Sequence, residues 1–242
     1  MDKQKVIFSD LGVIDYKEAW DYQETLLAQN VQLKSQGRQE GLLPAAIPTQ
    51  HYFLLCEHNP VYTLGKSGKV SNVLLSESEL AARQIQFFNS NRGGDITFHG
   101  LQQIVGYPIL DLEKYYTDIG RYLRNLEEMI ILTIADYGIK GERSAGETGV
   151  WIDAGIKGKE RKIAAIGVRC SRWVTMHGFA LNVNTDLDFF NHIIPCGIQD
   201  KQVTSIQKEL GKEVDYDEVK ETIKRNFERV FESELSEPSL PA

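Results

Sequence analysis

Cysteine is scarce in this chain. Cys56, Cys170 and Cys196 form an odd set with no paired spacing, which excludes a disulfide framework or a cysteine-rich zinc site. Long hydrophobic runs are missing too. No stretch approaches the about 18 consecutive apolar residues that a membrane span needs, so no membrane partner is expected. The opening MDKQKVIFSDLG carries no apolar secretory core, and the expected residence is cytoplasmic. Nor is there an excess of positive charge. The 27 basic residues face 34 acidic ones, and the net charge of -7 argues against nucleic acid as a partner. The histidines show no HExxH or similar ligand spacing, so no metal is expected.

What is present is an ordinary globular composition, 42% hydrophobic and 25% charged, and 242 residues can bury a substantial core. A helix is expected over residues 16–34, opened by Asp15 and carrying Ala19, Tyr22 and Leu26 on one stripe. Residues 51–57 and 61–64 read as strands around an Asn59-Pro60 turn, and 77–85 as a short helix before a polar turn at 89–91. Strands follow at 96–99 and 104–110. The clearest helix covers 117–137, with Ile119, Leu123, Leu126, Ile130 and Ile134 on one face and Gly138 as its stop. Strands are expected at 148–153, 162–169 and 173–184, the first two joined as a hairpin. Gly178 marks a bulge or an apposed backbone.

Short helices at 205–210 and after Asp215 close the chain, before a fraying tail. Residues 1–206 are expected to form a large catalytic domain and 207–242 a small C-terminal helical segment. Segregated helices and hairpin-like strands favour an α+β class over a doubly wound fold.

Chemistry concentrates in a few places. Cys196 sits in Ile194-Pro195-Cys196-Gly197-Ile198, where Pro195 restricts the backbone and Gly197 leaves space behind the sulfur. A backbone N–H at Gly197 is a candidate oxyanion donor. An ordinary tight turn over a buried thiol fits the same residues. A thiol of reference pKa about 8.5 needs a proton acceptor nearby to act as a nucleophile. Lys162 opens the apolar strand Ile163-Ala164-Ala165-Ile166-Gly167-Val168 and is placed either to exchange that proton or simply to reach water from a strand end. His99 is the best candidate for a polar site wall, or a satisfied structural histidine. Arg92-Gly93-Gly94-Asp95 and the run 141–149 read as substrate-lining loops or as plain turns; neither has P-loop or dinucleotide spacing.

Taken in order, His58-Asn59-Pro60-Val61-Tyr62-Thr63-Leu64-Gly65, Arg92-Gly93-Gly94-Asp95-Ile96-Thr97-Phe98-His99-Gly100, Gly149-Val150-Trp151, Arg161-Lys162-Ile163-Ala164-Ala165-Ile166-Gly167-Val168, His177-Gly178-Phe179-Ala180-Leu181-Asn182 and Ile194-Pro195-Cys196-Gly197-Ile198 resemble the lipoyl(octanoyl) transferase family. The match covers roughly residues 13 to 206. The resemblance implies an α+β fold, a mixed β-sheet with flanking helices like the catalytic module of biotin- and lipoate-protein ligases. It implies Cys196 and Lys162 as the catalytic pair, with Arg92, Gly93, Gly94, His99, Ala164, Ala165, Ile166, Gly167, Gly178 and Ala180 around the substrate.

It further implies octanoyl-acyl carrier protein as donor, and lipoyl domains of 2-oxoacid dehydrogenases or the glycine cleavage H protein as recipients, with no cofactor, ATP or metal. The alternatives are an ATP-using ligase, an amidotransferase moving octanoyl or lipoyl groups between lipoyl domains, and a non-catalytic domain that binds acylated carriers. Acidic partners imply a basic surface, for which Arg143, Lys157, Lys159, Arg161, Arg169 and Arg172 are candidates. One departure is visible: the family's His-Gly-Pro-Gly-Gln reads His99-Gly100-Leu101-Gln102-Gln103 here, which should alter the loop framing the pocket.

Overall fold

Apolar runs scattered through the chain pair into one mixed sheet in the computed structural model, which describes residues 3–194 and 202–238. In chain order the elements are β1 (Gln4–Val13), α1 (Tyr16–Gln39), β2 (His51–Glu57), β3 (Val61–Leu64), α2 (Glu77–Ala82), β4 (Gln86–Asn89), β5 (Ile96–His99), β6 (Gln103–Ile109), α3 (Ile119–Ala135), β7 (Val150–Ile152), β8 (Arg161–Ser171), β9 (Val174–Asn182), β10 (Gln202–Val203), α4 (Ile206–Leu210), α5 (Tyr216–Val230) and β11 (Ser233–Ser236). Among the described residues the large sheet runs β10-β8-β9-β6-β2-β1-β11, with β7 on β8, and a small sheet runs β4-β3-β5. The centre, from β8 to β2, is antiparallel, while β10 joins β8, β1 joins β2 and β11 joins β1 in parallel. The class is α+β, as expected.

Each face of the large sheet is covered by helix. On one side Phe53, Leu55, Ile104, Ile163 and Leu181 pack against Leu126, Met129 and Ile130 of α3 and Val219, Ile223 and Phe227 of α5. Phe227 stacks on Phe53 at 4.2 Å between ring centroids. Burying a ring of that size contributes about 2–3 kcal/mol, and it ties the C-terminal helix to the sheet centre. The boundary expected at 206/207 falls in the first turn of α4; beyond it, α5 joins this core and β11 extends the sheet. On the other side α1 lies over Leu54, Val105, Met176 and Ala180.

Four strands were not anticipated, β1, β4, β10 and β11, and α1 extends to Gln39. Its inward stripe also differs from the expected one. Tyr22 is exposed, whereas Gln23, Asn30 and Lys34 are buried with Ala19 and Leu26. The polar groups face inward because each meets a partner there. Gln23 Oε1 accepts from the His177 N–H, Asn30 exchanges two hydrogen bonds with the Gln50 backbone, and Lys34 pairs with Asp111 and Glu113. Gly178 is an apposed backbone: a Cβ there would collide with the carbonyl oxygen of Gly106 on β6.

Candidate functional site

A cavity of about 540 Å³ opens between β8, β9 and the small sheet. Its apolar wall comes from β8, where Ala164, Ala165, Ile166, Gly167 and Val168 succeed one another, and from Gly178, Phe179 and Ala180 on β9. Small residues dominate this wall, so the space is left by side chains that end at Cβ or earlier.

The loop 92–95 closes the cavity on the small-sheet side, and Arg92 holds it there. The guanidinium is buried and donates from Nη2 to the carbonyl oxygen of Thr63 (2.7 Å), to Thr63 Oγ1 (3.0 Å) and to the carbonyl oxygen of Asp95 (2.8 Å), and from Nη1 to the Gly93 carbonyl oxygen (3.0 Å). These bonds tie the guanidinium to the backbone of its own loop and of β3. The Gly93 N–H then donates to Val168 O at 2.9 Å, stitching the loop to β8.

His99 anchors a hydrogen-bond chain across the cavity floor. Gln103 Nε2 donates to the Phe98 carbonyl (3.1 Å) and to Asn182 Oδ1 (2.9 Å), which turns Gln103 Oε1 toward His99 Nδ1 at 2.9 Å. Nδ1 therefore carries the proton, and Nε2 accepts from Thr63 Oγ1 at 3.4 Å. Burial, with His58 and Arg92 nearby, pushes the His99 pKa well below the ordinary value. It is a neutral wall with a fixed tautomer. Tyr16 stacks on it at 5.9 Å, and His177 meets Asn91 Oδ1 through Nε2 at 2.7 Å. Behind the floor, His58 gives its Nδ1 proton to the Ile14 carbonyl and receives Tyr107 Oη at Nε2, 2.7 Å away.

Lys162 lines the cavity at the opposite end of the β8 wall. Its Nζ stands 4.6 Å from the centre of the Trp151 ring. Gly149 lies against its stem: a Cβ there would come 2.6 Å from the Ala164 carbonyl oxygen and 3.4 Å from Lys162 Cε. The strand β10 runs beside Lys162, with Val203 as its register partner and Thr204 N donating to Lys162 O at 3.0 Å.

Cys196 and Gly197 lie outside the described residues. The chain on either side of them is fixed to the cavity. Phe190 and Val203 both line it, Val73 bridges Ile193, and Ile194 N donates to Asn72 O at 2.9 Å. The other expected substrate residues, Arg92, Gly93, Gly94, His99, Ala164, Ala165, Ile166, Gly167, Gly178 and Ala180, line this one cavity with Lys162.

Tyr16, Gln103, Tyr107 and Asn182 were not singled out from the sequence. The available signal was Gln103, four residues from His99 and polar within an apolar strand. Cys56 is buried beside His58, and desolvation raises its thiol pKa well above the ordinary value. Cys170 is exposed, at the far end of β8. Among the described residues, no group of three or more His, Cys, Asp or Glu is placed to hold a metal ion, and no helix is long and apolar enough to cross a membrane.

Half of the expected basic surface is neutralised. Arg143 pairs with Glu127 and Glu128, Arg161 with Asp153 and Glu209, and Arg169 with Glu24. Charges committed to such pairs present little net field to a visiting protein.

The model of the lipoyl protein ligase A/B catalytic domain matches residues 15–228. Proteins named octanoyltransferase are among the most similar relatives. That of Christiangramia forsetii is 57% identical over 233 residues, covering 96% of this chain and 98% of the relative. That of Flavobacterium johnsoniae is 56% identical over 233 residues, covering 96% and 99%. A solved structure of a bipartite lipoate protein ligase from Thermoplasma acidophilum aligns with 100% of this chain and 88% of that one. It superposes with a TM-score of 0.68 at 16% identity. That likeness is one of fold.

Proposed function

The chain belongs to the lipoyl protein ligase A/B catalytic domain family and is an acyltransferase of its octanoyltransferase group, and we propose that it takes octanoyl from the thioester of an acyl carrier protein onto Cys196 and passes it to the lysine of a lipoyl domain. The transfer serves lipoate assembly. The recipients in this reading are lipoyl domains of 2-oxoacid dehydrogenases and the glycine cleavage H protein, and the reaction takes place in the cytoplasm. One observation carries the reading. Lys162 is the one lysine among the described lining residues, at the end of an apolar wall, and the residues flanking Cys196 on both sides, Phe190 and Val203, line the same cavity.

The chemistry follows from that placement. The Cys196 thiolate attacks the donor carbonyl carbon; a new sulfur–carbon bond forms, the donor's breaks, and the carrier thiol leaves with a proton returned from Lys162. Both sides of this exchange are thioesters, so the step is near balance without nucleotide. The recipient lysine then arrives as a neutral amine and attacks the same carbonyl carbon. Its surplus proton passes to Lys162, the amide forms, and the Cys196 thiolate leaves. An N–H at Gly197 serves the oxyanion in both steps. The octanoyl chain lies along the β8 wall, where each buried methylene contributes about 0.8 kcal/mol.

The reading is tested with purified octanoyl-carrier and an apo lipoyl domain. Cys196→Ala abolishes transfer, and Lys162→Ala slows it by about a hundredfold or more while the protein remains folded. Transfer by Cys196→Ala at the normal rate removes the covalent centre from the scheme. Faster transfer from octanoylated H protein than from the carrier moves the reaction to amidotransfer.

A further inference from the structure

The segment between β3 and α2 joins two edges of the site. On one edge, Lys66 N donates to Arg92 O and Ser67 N to Gly94 O, both at 3.0 Å, so it rests on the 92–95 loop that lines the cavity. On the other, Leu74 N donates to His192 O at 2.9 Å and Asn72 O accepts from Ile194, the last described residue before the stretch containing Cys196. Asn72 Nδ2 also donates to the Asp95 carboxylate at 2.9 Å, which ties that acidic group to the segment. This segment forms a rim beside the loop that lines the cavity.

Its surface differs from the rest of the molecule. The chain carries -7 overall, yet from His58 to Ser76 there is no acidic residue, and Lys66 and Lys69 are both exposed. Neither lysine has an ion-pair partner among the described residues, in contrast to Arg143, Arg161 and Arg169. Between and beside them Val70 is 64% and Leu74 54% exposed. Two free cations around exposed aliphatic side chains are the make-up of a docking patch for an acidic protein surface.

We propose that this rim, through Lys66, Lys69, Val70 and Leu74, docks the acidic carrier protein that delivers the acyl thioester, and not the recipient domain. The distinction is electrostatic. A carrier's arm is rooted in an anionic phosphodiester, which two rim ammonium groups attract. Both partners are acidic in this reading, so the difference lies in the group each brings to the rim. A recipient brings a lysine that is cationic in solution, which the ammonium groups repel. The proposal rests on the acyltransferase reading above.

The experiment compares Lys66→Glu/Lys69→Glu with Lys157→Glu/Lys159→Glu, an equal change of net charge on the exposed β7–β8 connection. Initial rates are measured against octanoyl-carrier and, separately, against apo lipoyl domain. At low salt, KM for the carrier rises about tenfold in the rim variant while KM for the lipoyl domain stays within about twofold, and added salt narrows the gap. Val70→Ser/Leu74→Ser raises the carrier KM as well, without that salt dependence. An unchanged carrier KM in both rim variants overturns the proposal, as does a larger effect from Lys157→Glu/Lys159→Glu or on the recipient. Absence of any transfer by the wild-type protein instead removes the underlying reading, and the docking role with it.

Discussion

Gly167 on β8 faces the Gly93 backbone so closely that a Cβ on Gly167 would stand 2.8 Å from the Gly93 carbonyl oxygen and 3.2 Å from Arg92 Cδ. The Gly93 N–H is meanwhile bound to Val168 O, so the loop cannot retreat without losing that bond. Gly167→Ala therefore displaces the 92–95 loop. The expected cost is about 1–3 kcal/mol of stability, with kcat/KM falling more than the loss of folded protein explains. Thermal melts and steady-state rates on one preparation check this. Wild-type values for both would show that the loop yields freely.

The departure at residue 102 has a measurable signature. Gln102 adopts φ of +60°, a left-handed conformation that costs a side-chain-bearing residue about 1 kcal/mol relative to glycine. Its amide oxygen accepts from Asn184 Nδ2 at 2.9 Å, and its carbonyl accepts from Thr185 Oγ1, also at 2.9 Å. The side-chain bond offsets part of the strain. Gln102→Ala keeps the strain and loses the bond, whereas Gln102→Gly loses both. Urea unfolding is expected to show Gln102→Gly more stable than Gln102→Ala by about 1 kcal/mol. The reverse order would contradict the backbone argument.

Much of this architecture is legible from residue order, for reasons that differ by element. The apolar run 51–57 and the 3.6-residue period of 119–134 specify β2 and α3 directly, because each buries a face made of consecutive or periodic residues. β1 and β11 escape such reading. Their pairing joins Gln4–Ile7 to residues 233–236 in parallel, a contact across nearly the whole chain that leaves no local trace. Of β4 only Asn89 falls in the expected turn and 86–88 are assigned to no element, because the strand is short, polar at both ends and at most half-buried.

The site divides in the same way. Arg92, His99 and the Lys162 strand stand in recognisable runs. Tyr16, Gln103, Tyr107 and Asn182 come from three separate elements, α1, β6 and β9, and meet only once the sheet has formed. Lys34 is the clearest case of pattern misleading: it is a lysine with no exposed surface, placed by its partners.

That lysine carries a third expectation. Lys34 lies between the Asp111 and Glu113 carboxylates, and Asp111 also accepts from Thr49 Oγ1 at 2.8 Å. Lys34→Ala leaves a buried carboxylate without its counter-charge and should destabilise by about 3–5 kcal/mol. Lys34→Met combined with Asp111→Asn should recover a substantial part of that loss, as read from the midpoint of chemical unfolding. A single substitution as mild as the double would refute the pairing.

Acid sensitivity is set by four buried imidazoles, of which His99, held well below its ordinary pKa, is one. Burial lowers the pKa of His51 and His58 to about 4, and burial with Arg92 and Arg169 lowers that of His177 to about 3, from an ordinary 6.5. The folded state thus holds these groups neutral, while the unfolded chain protonates them below pH 6.5. Stability is complete above that pH and is lost as the pH falls toward the folded pKa values, by about 3 kcal/mol each for His51 and His58 and somewhat more for His177. The unfolding midpoint in urea should fall steadily between pH 6.5 and 4, with a shallower slope for His58→Gln. A flat profile over that window would contradict the neutral assignment.

The central claim, an acyl group held on Cys196 between two proteins, is met most directly by intact mass spectrometry with peptide mapping after incubation with octanoyl-carrier alone. The expected result is a mass gain of one octanoyl group, located on Cys196 and discharged when apo lipoyl domain is added. An unmodified protein that nonetheless transfers octanoyl under the same conditions, or an adduct on Cys56 or Cys170 instead, would contradict the account.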